Sequence, residues 1–254
     1  MKNPPALLKY FFRIIVPALV CLLLIAPLAA AGELTVAVAA NFAMPFEKIS
    51  EVYTAQRGTK INTIVASTGT LYAQIVQGAP FDIFLAADSR RPEKLHESGL
   101  ALSPFVYARG EVVLWSVKAE LTKLKKFSEV IQAPGNTTVA IANPGTAPYG
   151  TMAMQALKSL HIYPVIQDNL VFGQNVGQVF QYAQSRVADS GFVARSQALS
   201  DMGRSGKCWR IPKAALIIQK ACIIRKGNVA EAQRFSEYLG SPAVRPILAM
   251  YGYQ

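Results

Sequence analysis

Histidine is scarce in this chain: His96 and His161 are the only two in 254 residues. Both fall in or at the ends of helix-patterned segments, which suits surface or packing roles. A hydroxyl nucleophile needs a nearby base and usually a third group to orient it. The shortage of histidine therefore counts against a Ser–His type hydrolase. Charge is also sparse, with Asp, Glu, Lys and Arg making up 16% of residues. The chain has no HExxH, no P-loop and no CxxC, the signatures of zinc peptidases, phosphate-loop NTPases and dithiol redox proteins. Basic residues are dispersed, apart from Lys123, Lys125 and Lys126 and the pair Arg90-Arg91. Without a long basic run, nucleic acid is not an expected partner. Asp82 and Asp88 flank a short apolar run, but Asp88-Ser89 before "RRPEKL" reads as a helix cap. Asp189 reads as a cap or turn residue.

Apolar residues are abundant, at 52%, and some of them form a leader. Lys2, Lys9 and Arg13 precede a mostly apolar run from Ile14 to Ile25, and Ala29-Ala30-Ala31 supplies a small-residue cleavage pattern. The run is short for a bilayer span of ~20 apolar residues, so residues 1–31 are expected to be a cleaved signal peptide. The mature protein would begin near Gly32 and be periplasmic or otherwise extracytoplasmic. The leader holds three of the 26 basic residues and none of the 15 acidic ones, leaving a net charge of +8. A positive field of that size helps to capture a small anion.

Of three cysteines, Cys21 belongs to the leader, and Cys208 and Cys222 remain. Export implies an oxidising compartment, where two thiols tend to pair. Both lie in strand-like runs, Cys208 to Ile211 and Leu216 to Ile224. If those runs are antiparallel neighbours, a Cys208–Cys222 disulfide follows. A metal site would need more ligands close by.

The mature chain reads as alternating strands and helices. Strand-like runs cover Leu34 to Ala40, Lys60 to Ala66, Asp82 to Ala86, Glu111 to Val117, Thr138 to Ala142, Leu170 to Phe172 and Gly191 to Val193. Helical periodicity follows most of them, with Phe42, Phe46, Ile49 and Tyr53 on one face, and later Val176, Val179, Phe180 and Ala183. Repeated βαβ units imply an α/β fold with helices on both faces of its sheets. One junction recurs, in which a strand ends in small or polar residues and a helix begins. It occurs at Ala39-Ala40-Asn41, Ser67-Thr68-Gly69, Asn143 to Gly150 ("NPGTAPYG") and Gly173 to Gly177 ("GQNVG"). A helix N-terminus carries unsatisfied N–H groups and about half a positive charge, so it binds anions without a cationic side chain. In open α/β sheets, ligands gather at the carboxyl ends of strands. Any one junction alone is explained by ordinary capping. Four together point to one small anion.

The segments "VAANF", "STGTLYAQIVQGAPFDIFLAAD", "NPGTAPYG", "QNVGQ", "ADSGFVA" and the closing "YGY" resemble the extracytoplasmic molybdate-binding proteins of ABC transporters. The likeness runs through the whole mature chain, and "GAPFDIFLAAD" is its most specific part. It implies a two-lobed periplasmic-binding-protein fold, type II-like, each lobe a mixed sheet flanked by helices, with the ligand in the cleft. It implies capture of a tetrahedral oxyanion, molybdate or tungstate, by neutral donors, and delivery to a membrane permease. It also implies a monomer that is not an enzyme, with no cofactor and no metal held as a cation. Molybdenum would be bound as its oxyanion. By this resemblance Asn41 donates through its amide, where many relatives have Ser. Ser67 and Thr68 match a hydroxyl pair, with Thr68 the closer match, and Tyr149 and Val176 offer backbone N–H groups. Ala194 stands where many relatives carry a Tyr whose hydroxyl reaches the ligand.

The expected lobes are residues 32–113 with 218–254, and residues 114–217. Glu111 to Val117 and Leu216 to Ile224 would cross between them. Two other functions fit parts of the pattern: a binding protein for sulfate or phosphate, and an exported hydrolase using Ser67 or Thr68. An amino-acid ligand would want an Arg and an acid at the junctions, and none is there.

Overall fold

The computed structural model describes residues 32–254; the leader assigned to residues 1–31 lies outside them. Among the described residues ten strands are formed: β1 Glu33–Ala39, β2 Lys60–Ala66, β3 Ile83–Leu85, β4 Phe105–Gly110, β5 Val112–Ser116, β6 Val139–Ala142, β7 Leu170–Gly173, β8 Ser190–Ala194, β9 Lys207–Arg210 and β10 Ile217–Ile223. The longer helices are α1 Ala43–Arg57, α2 Thr68–Val76, α3 Arg90–Glu97, α4 Pro148–Ser159, α5 Val176–Gln184, α6 Val229–Leu239 and α7 Arg245–Met250. Among the described residues no helix is long and apolar enough to cross a membrane.

The strands form two five-stranded mixed sheets, ordered β2-β1-β3-β10-β4 and β7-β6-β8-β5-β9. In the first, β1 runs parallel to β2 and β3, and β10 is antiparallel to β3 and β4. The second repeats this plan, with β6 parallel to β7 and β8 and β5 antiparallel to β8 and β9.

Side-chain alternation explains how β1 is covered. Leu34, Val36 and Val38 face a cluster built on Phe42, Phe46, Ile49, Tyr53 and Phe235. Ala37 faces the opposite cluster, with Leu71, Ile75 and Leu95. A strand with helices on both faces cannot show the apolar-in, polar-out pattern of a half-exposed one, and β6 has no exposed residue at all. Register brings the carboxyl ends of parallel neighbours level, Ala39 beside Ala66 and Ala142 beside Gly173. The junction residues therefore emerge together.

The chain passes from the first sheet to the second at Glu111 and returns between Arg210 and Ile217. Each run expected to cross thus lies within one sheet: β5 in the second, β10 in the first. The change of sheet is confined to a single residue on one side. Glu111 is buried there; its carboxylate accepts from Arg210 at 2.6 and 3.0 Å and from Arg195 at 3.4 Å. Strand β4 is absent from the sequence reading.

The expected Cys208–Cys222 disulfide is not formed. Both are free thiols, because β9 and β10 are not neighbours. β9 pairs with β5, and β10 pairs with β3 and β4, in separate sheets.

Candidate functional site

The four junctions meet. Asn41, Ser67, Thr68, Tyr149 and Val176 line one small cleft, together with Ala39, Ala40, Ala87, Ala147, Pro148 and Asn175. None of these residues is charged. Each junction reaches the cleft for a local reason. Ser67 is extended, and its hydroxyl accepts the Thr70 N–H at 3.2 Å, capping α2. Asn175 caps α5 in the same way, accepting from Gln178 at 3.1 Å. α4 starts with Pro148, which has no N–H to satisfy. Gly150 then lets that helix begin against β6, since a Cβ there would lie 2.0 Å from the Ala142 carbonyl oxygen.

The caps satisfy the third N–H of α2 and α5 and do not reach the earlier ones. Thr68, Tyr149 and Val176 occupy first-turn positions that no carbonyl of their own helix can reach. No other backbone acceptor among the described residues meets them. Thr68 adds its hydroxyl, which accepts from the Ala87 N–H at 3.0 Å and keeps its proton to donate. Ser67 differs, because its hydroxyl is engaged with Thr70 through both the N–H and Oγ1, the latter at 2.8 Å.

Beneath the cleft lies a buried polar cluster that the sequence reading lacks. Asn41 Nδ2 donates to Gln219 Oε1 and to Tyr253 Oη, both at 2.9 Å, and lies 3.5 Å from Tyr149 Oη. Gln219 Nε2 donates to Tyr149 Oη at 3.2 Å, and Tyr107 Oη lies 3.0 Å from Gln219 Oε1. The Asn41 carbonyl accepts from Ser196 at 2.7 Å and Tyr253 at 2.9 Å. Burial pushes the Tyr107 and Tyr149 phenols well above the usual tyrosine range and raises Tyr253. All three stay neutral donors. Two sequence signals pointed here: Gln219 is the uncharged polar residue inside the apolar run "LIIQKACII", and Tyr253 belongs to the closing "YGY".

One flank of the cleft is closed by direct contact. Gly69 donates its N–H to Thr146 O at 2.8 Å, and Arg91 Nη2 reaches Gly145 O at 3.3 Å. Arg91 is itself held by Asp88, which also accepts the Arg91 N–H at 3.0 Å.

The remaining candidates lie elsewhere. Ala194 is fully buried at the end of β8 and does not line the cleft; its N–H donates to Gln197 Oε1 at 2.9 Å. Asp82 accepts the N–H groups of Thr35 and Asn228, both at 2.6 Å. Asp189 accepts from Thr137, Thr138 and Lys118. His96 sits on α3 with Nδ1 3.3 Å from the Ala101 carbonyl, and His161 follows α4 with a positive φ of 56°. No group of three or more His, Cys, Asp or Glu able to hold a metal ion occurs among the described residues.

Residues 34–254 match the family model of the bacterial extracellular solute-binding proteins. The chain belongs to this family. It is 37% identical over 230 residues to the molybdate-binding protein ModA of Rhodobacter capsulatus, covering 89% of each chain. It is 39% identical over 238 residues to ModA of Azotobacter vinelandii, covering 91% of this chain and 93% of the relative. The solved periplasmic molybdate-binding protein of A. vinelandii superposes with a TM-score of 0.82 at 34% identity, covering 87% of this chain and 98% of that one. As a family member the chain is a solute-binding protein with two mixed sheets, each flanked by helices.

Proposed function

We propose that this solute-binding protein captures molybdate in the cleft between its two sheets and delivers it to the membrane permease of an ABC importer. Tungstate, close in size and equal in charge, is the expected second ligand. The carrying observation is the cation-free cleft on which the open N–H groups of Thr68, Tyr149 and Val176 and the Thr68 hydroxyl converge. Each sheet is the centre of one lobe, with the lobes divided at Glu111 and in residues 211–216. Thr68 and Asn41 then face Tyr149 and Val176, and each lobe supplies part of the shell that replaces the anion's water. Closure on the ligand follows from that division. Export by the N-terminal leader would put the protein in the periplasm, as a monomer with no resident cofactor.

Neutral donors choose by proton count and shape. Molybdate near neutral pH is a deprotonated tetrahedron that accepts on every oxygen. Hydrogen phosphate carries a proton that needs an acceptor; among the described residues no carboxylate lines the cleft, and meeting that proton with the neutral Asn41 amide oxygen would withdraw an N–H donor from the anion. An unpaired buried group costs ~1–3 kcal/mol. Sulfate has no such proton and is refused by its smaller size. A hydrolase reading finds no support, since among the described residues no His, Lys, Asp or Glu lines the cleft to activate Ser67 or Thr68.

The test is a thermal-shift panel on purified mature protein with molybdate, tungstate, sulfate and phosphate. A ligand at one hundred times its Kd stabilises by ~2.7 kcal/mol, or roughly 5–11 °C for a chain of this size. Molybdate and tungstate give that shift at micromolar levels, and phosphate gives none. A flat panel refutes the proposal.

A further inference from the structure

The amide of Asn41 faces the wrong way for an anion. Its Nδ2 lies among three oxygens of the buried cluster, Gln219 Oε1, Tyr253 Oη and Tyr149 Oη. An NH2 group has two protons for those three neighbours. Among the described residues Asn41 Oδ1 has no hydrogen-bond donor, and the side chain lines the cleft. A bare carbonyl is thereby offered where Thr68, Tyr149 and Val176 offer donors.

The same heavy-atom positions accept a second proton arrangement. An amide's oxygen and nitrogen exchange places by a half turn with almost no change of shape. With the Asn41 and Gln219 amides both turned, Gln219 Nε2 donates to Asn41 Oδ1 and to Tyr107 Oη. Tyr107 donates in turn to the Ala86 carbonyl, 3.1 Å away. Gln219 Oε1 accepts from Tyr149, Tyr253 swings its proton from the Asn41 backbone carbonyl, which keeps the Ser196 bond, to Asn41 Oδ1, and the Asn41 NH2 points into the cleft. Neither amide can turn alone. Turning Asn41 by itself sets two carbonyl oxygens against each other across the 2.9 Å contact, and turning Gln219 by itself sets two NH2 groups there.

We propose that Gln219 is a positioning residue. It turns with Asn41 as a coupled amide pair, and an arriving anion selects the state in which the Asn41 NH2 faces the cleft. The inference rests on the reading of the cleft as an oxyanion site. Gln219 is fully buried and does not line the cleft, so it acts through Asn41. Gly110 keeps the space for this exchange, because a Cβ there would lie 2.1 Å from Tyr149 Oη and 2.4 Å from Gln219 Nε2.

The experiment is calorimetric titration with sodium molybdate from pH 6 to 8.5, on wild type and Gln219→Glu, each also in an Asn41→Ala background. An ionised carboxylate only accepts, so it holds the Asn41 NH2 inward. A protonated one donates to Oδ1 and restores the cleft-facing state. Burial raises the pKa of such a carboxyl. The expected result is a Kd at least tenfold weaker than wild type at pH 8.5, with the gap narrowing toward pH 6. In the Asn41→Ala background this pH-dependent loss disappears, since no amide remains to turn. A loss of equal size there would be plain charge repulsion and would overturn the proposal, as would unchanged or pH-independent affinity in Gln219→Glu. If that variant does not fold, Gln219→Leu replaces it, with a several-fold loss expected only when Asn41 is present; equal loss in both backgrounds overturns the proposal. Failure of wild type itself to bind molybdate would instead overturn the oxyanion reading.

Discussion

Ala87 donates its N–H to the Thr68 hydroxyl at 3.0 Å. This bond ties the start of α2 to the segment after β3 and fixes where the hydroxyl proton can point. In the proposed site two roles meet in one oxygen, acceptor for the fold and donor for the anion. Thr68→Val, nearly isosteric, removes both. Molybdate affinity should fall by about 1.5–3 kcal/mol, the range for a hydrogen bond to a charged group, or roughly ten- to a hundred-fold in Kd. The ligand-free protein should also melt lower, because the Ala87 N–H loses its partner. Thr68→Ser keeps the oxygen and should be nearly silent in both measurements. Unchanged affinity in Thr68→Val would show that the hydroxyl does not serve the ligand.

Tyr149→Phe separates the backbone of Tyr149 from its ring. The N–H at the start of α4 is kept, and the phenol that accepts from Gln219 at 3.2 Å is lost. Stability of the ligand-free protein should drop by about 1–3 kcal/mol, the cost of stranding a buried donor. Affinity should change by less than about 1 kcal/mol, since Asn41 and Tyr107 still hold Gln219. Denaturant melts beside calorimetry check both, and a large affinity loss without a stability loss would place the phenol at the ligand.

The thiols give a prediction opposite to the one the sequence suggests. Mass spectrometry of non-reduced mature protein should find Cys208 and Cys222 unlinked. Cys222 is fully buried, and burial pushes its thiol up to about 12. The half-buried Cys208 is raised by the same cause. Since the thiolate is the nucleophile, iodoacetamide at pH 8 should label Cys208 slowly and Cys222 only after unfolding. A linked peptide pair would contradict the sheet assignment of β9 or β10.

What was legible in the sequence was whatever repeats locally. Val176, Val179, Phe180 and Ala183 recur at helical spacing and are all buried on α5. The strand-to-helix junctions could be read because capping and glycine chemistry are short-range. The misses are long-range. β4 reads "FVYARG", with exposed Val106 and Arg109 interleaved among buried residues, and its pairing with β10 joins residues far apart in the chain. The Cys pair failed for the same reason, because adjacency in sequence does not choose the sheet. Gln219, Tyr107 and Tyr253 sit at no junction. A buried Gln in a strand carries no mark of the partner it will meet.

Asp189 should make stability depend on acid. Burial works against its charge, but bonds from Lys118, Thr137 and Thr138 outweigh this and hold its pKa below the usual carboxylate value. A depressed folded-state pKa contributes stability above the unfolded pKa of ~3.9, and that stability is lost as pH falls through the folded value. Asp189→Asn should therefore melt lower than wild type at pH 7, with the gap closing as the pH drops below about 4. A gap that persists unchanged into acid would mean the carboxylate's charge contributes nothing.

The contacts on the closed flank should set how long the anion stays. In the proposed two-lobe reading, Gly69 N–H to Thr146 O and Arg91 to Gly145 O join opposite sides of the cleft without touching the ligand. Such bonds exist only in the closed form, so they slow opening and leave capture by the open form unaffected. Arg91→Ala removes one of them, worth about 1 kcal/mol, and should raise the molybdate off-rate roughly five-fold while the on-rate stays unchanged. Gly69→Ala should do more. Its Cβ would lie 2.9 Å from both Cα and O of Thr146 and 3.1 Å from Arg91 Nη2. The Thr146 atoms are backbone, so the loop itself must move, and both contacts weaken together. Stopped-flow fluorescence with molybdate separates the two rate constants. If Arg91→Ala slows the on-rate and leaves the off-rate alone, the guanidinium steers the anion in from solvent, and the flank is no clasp.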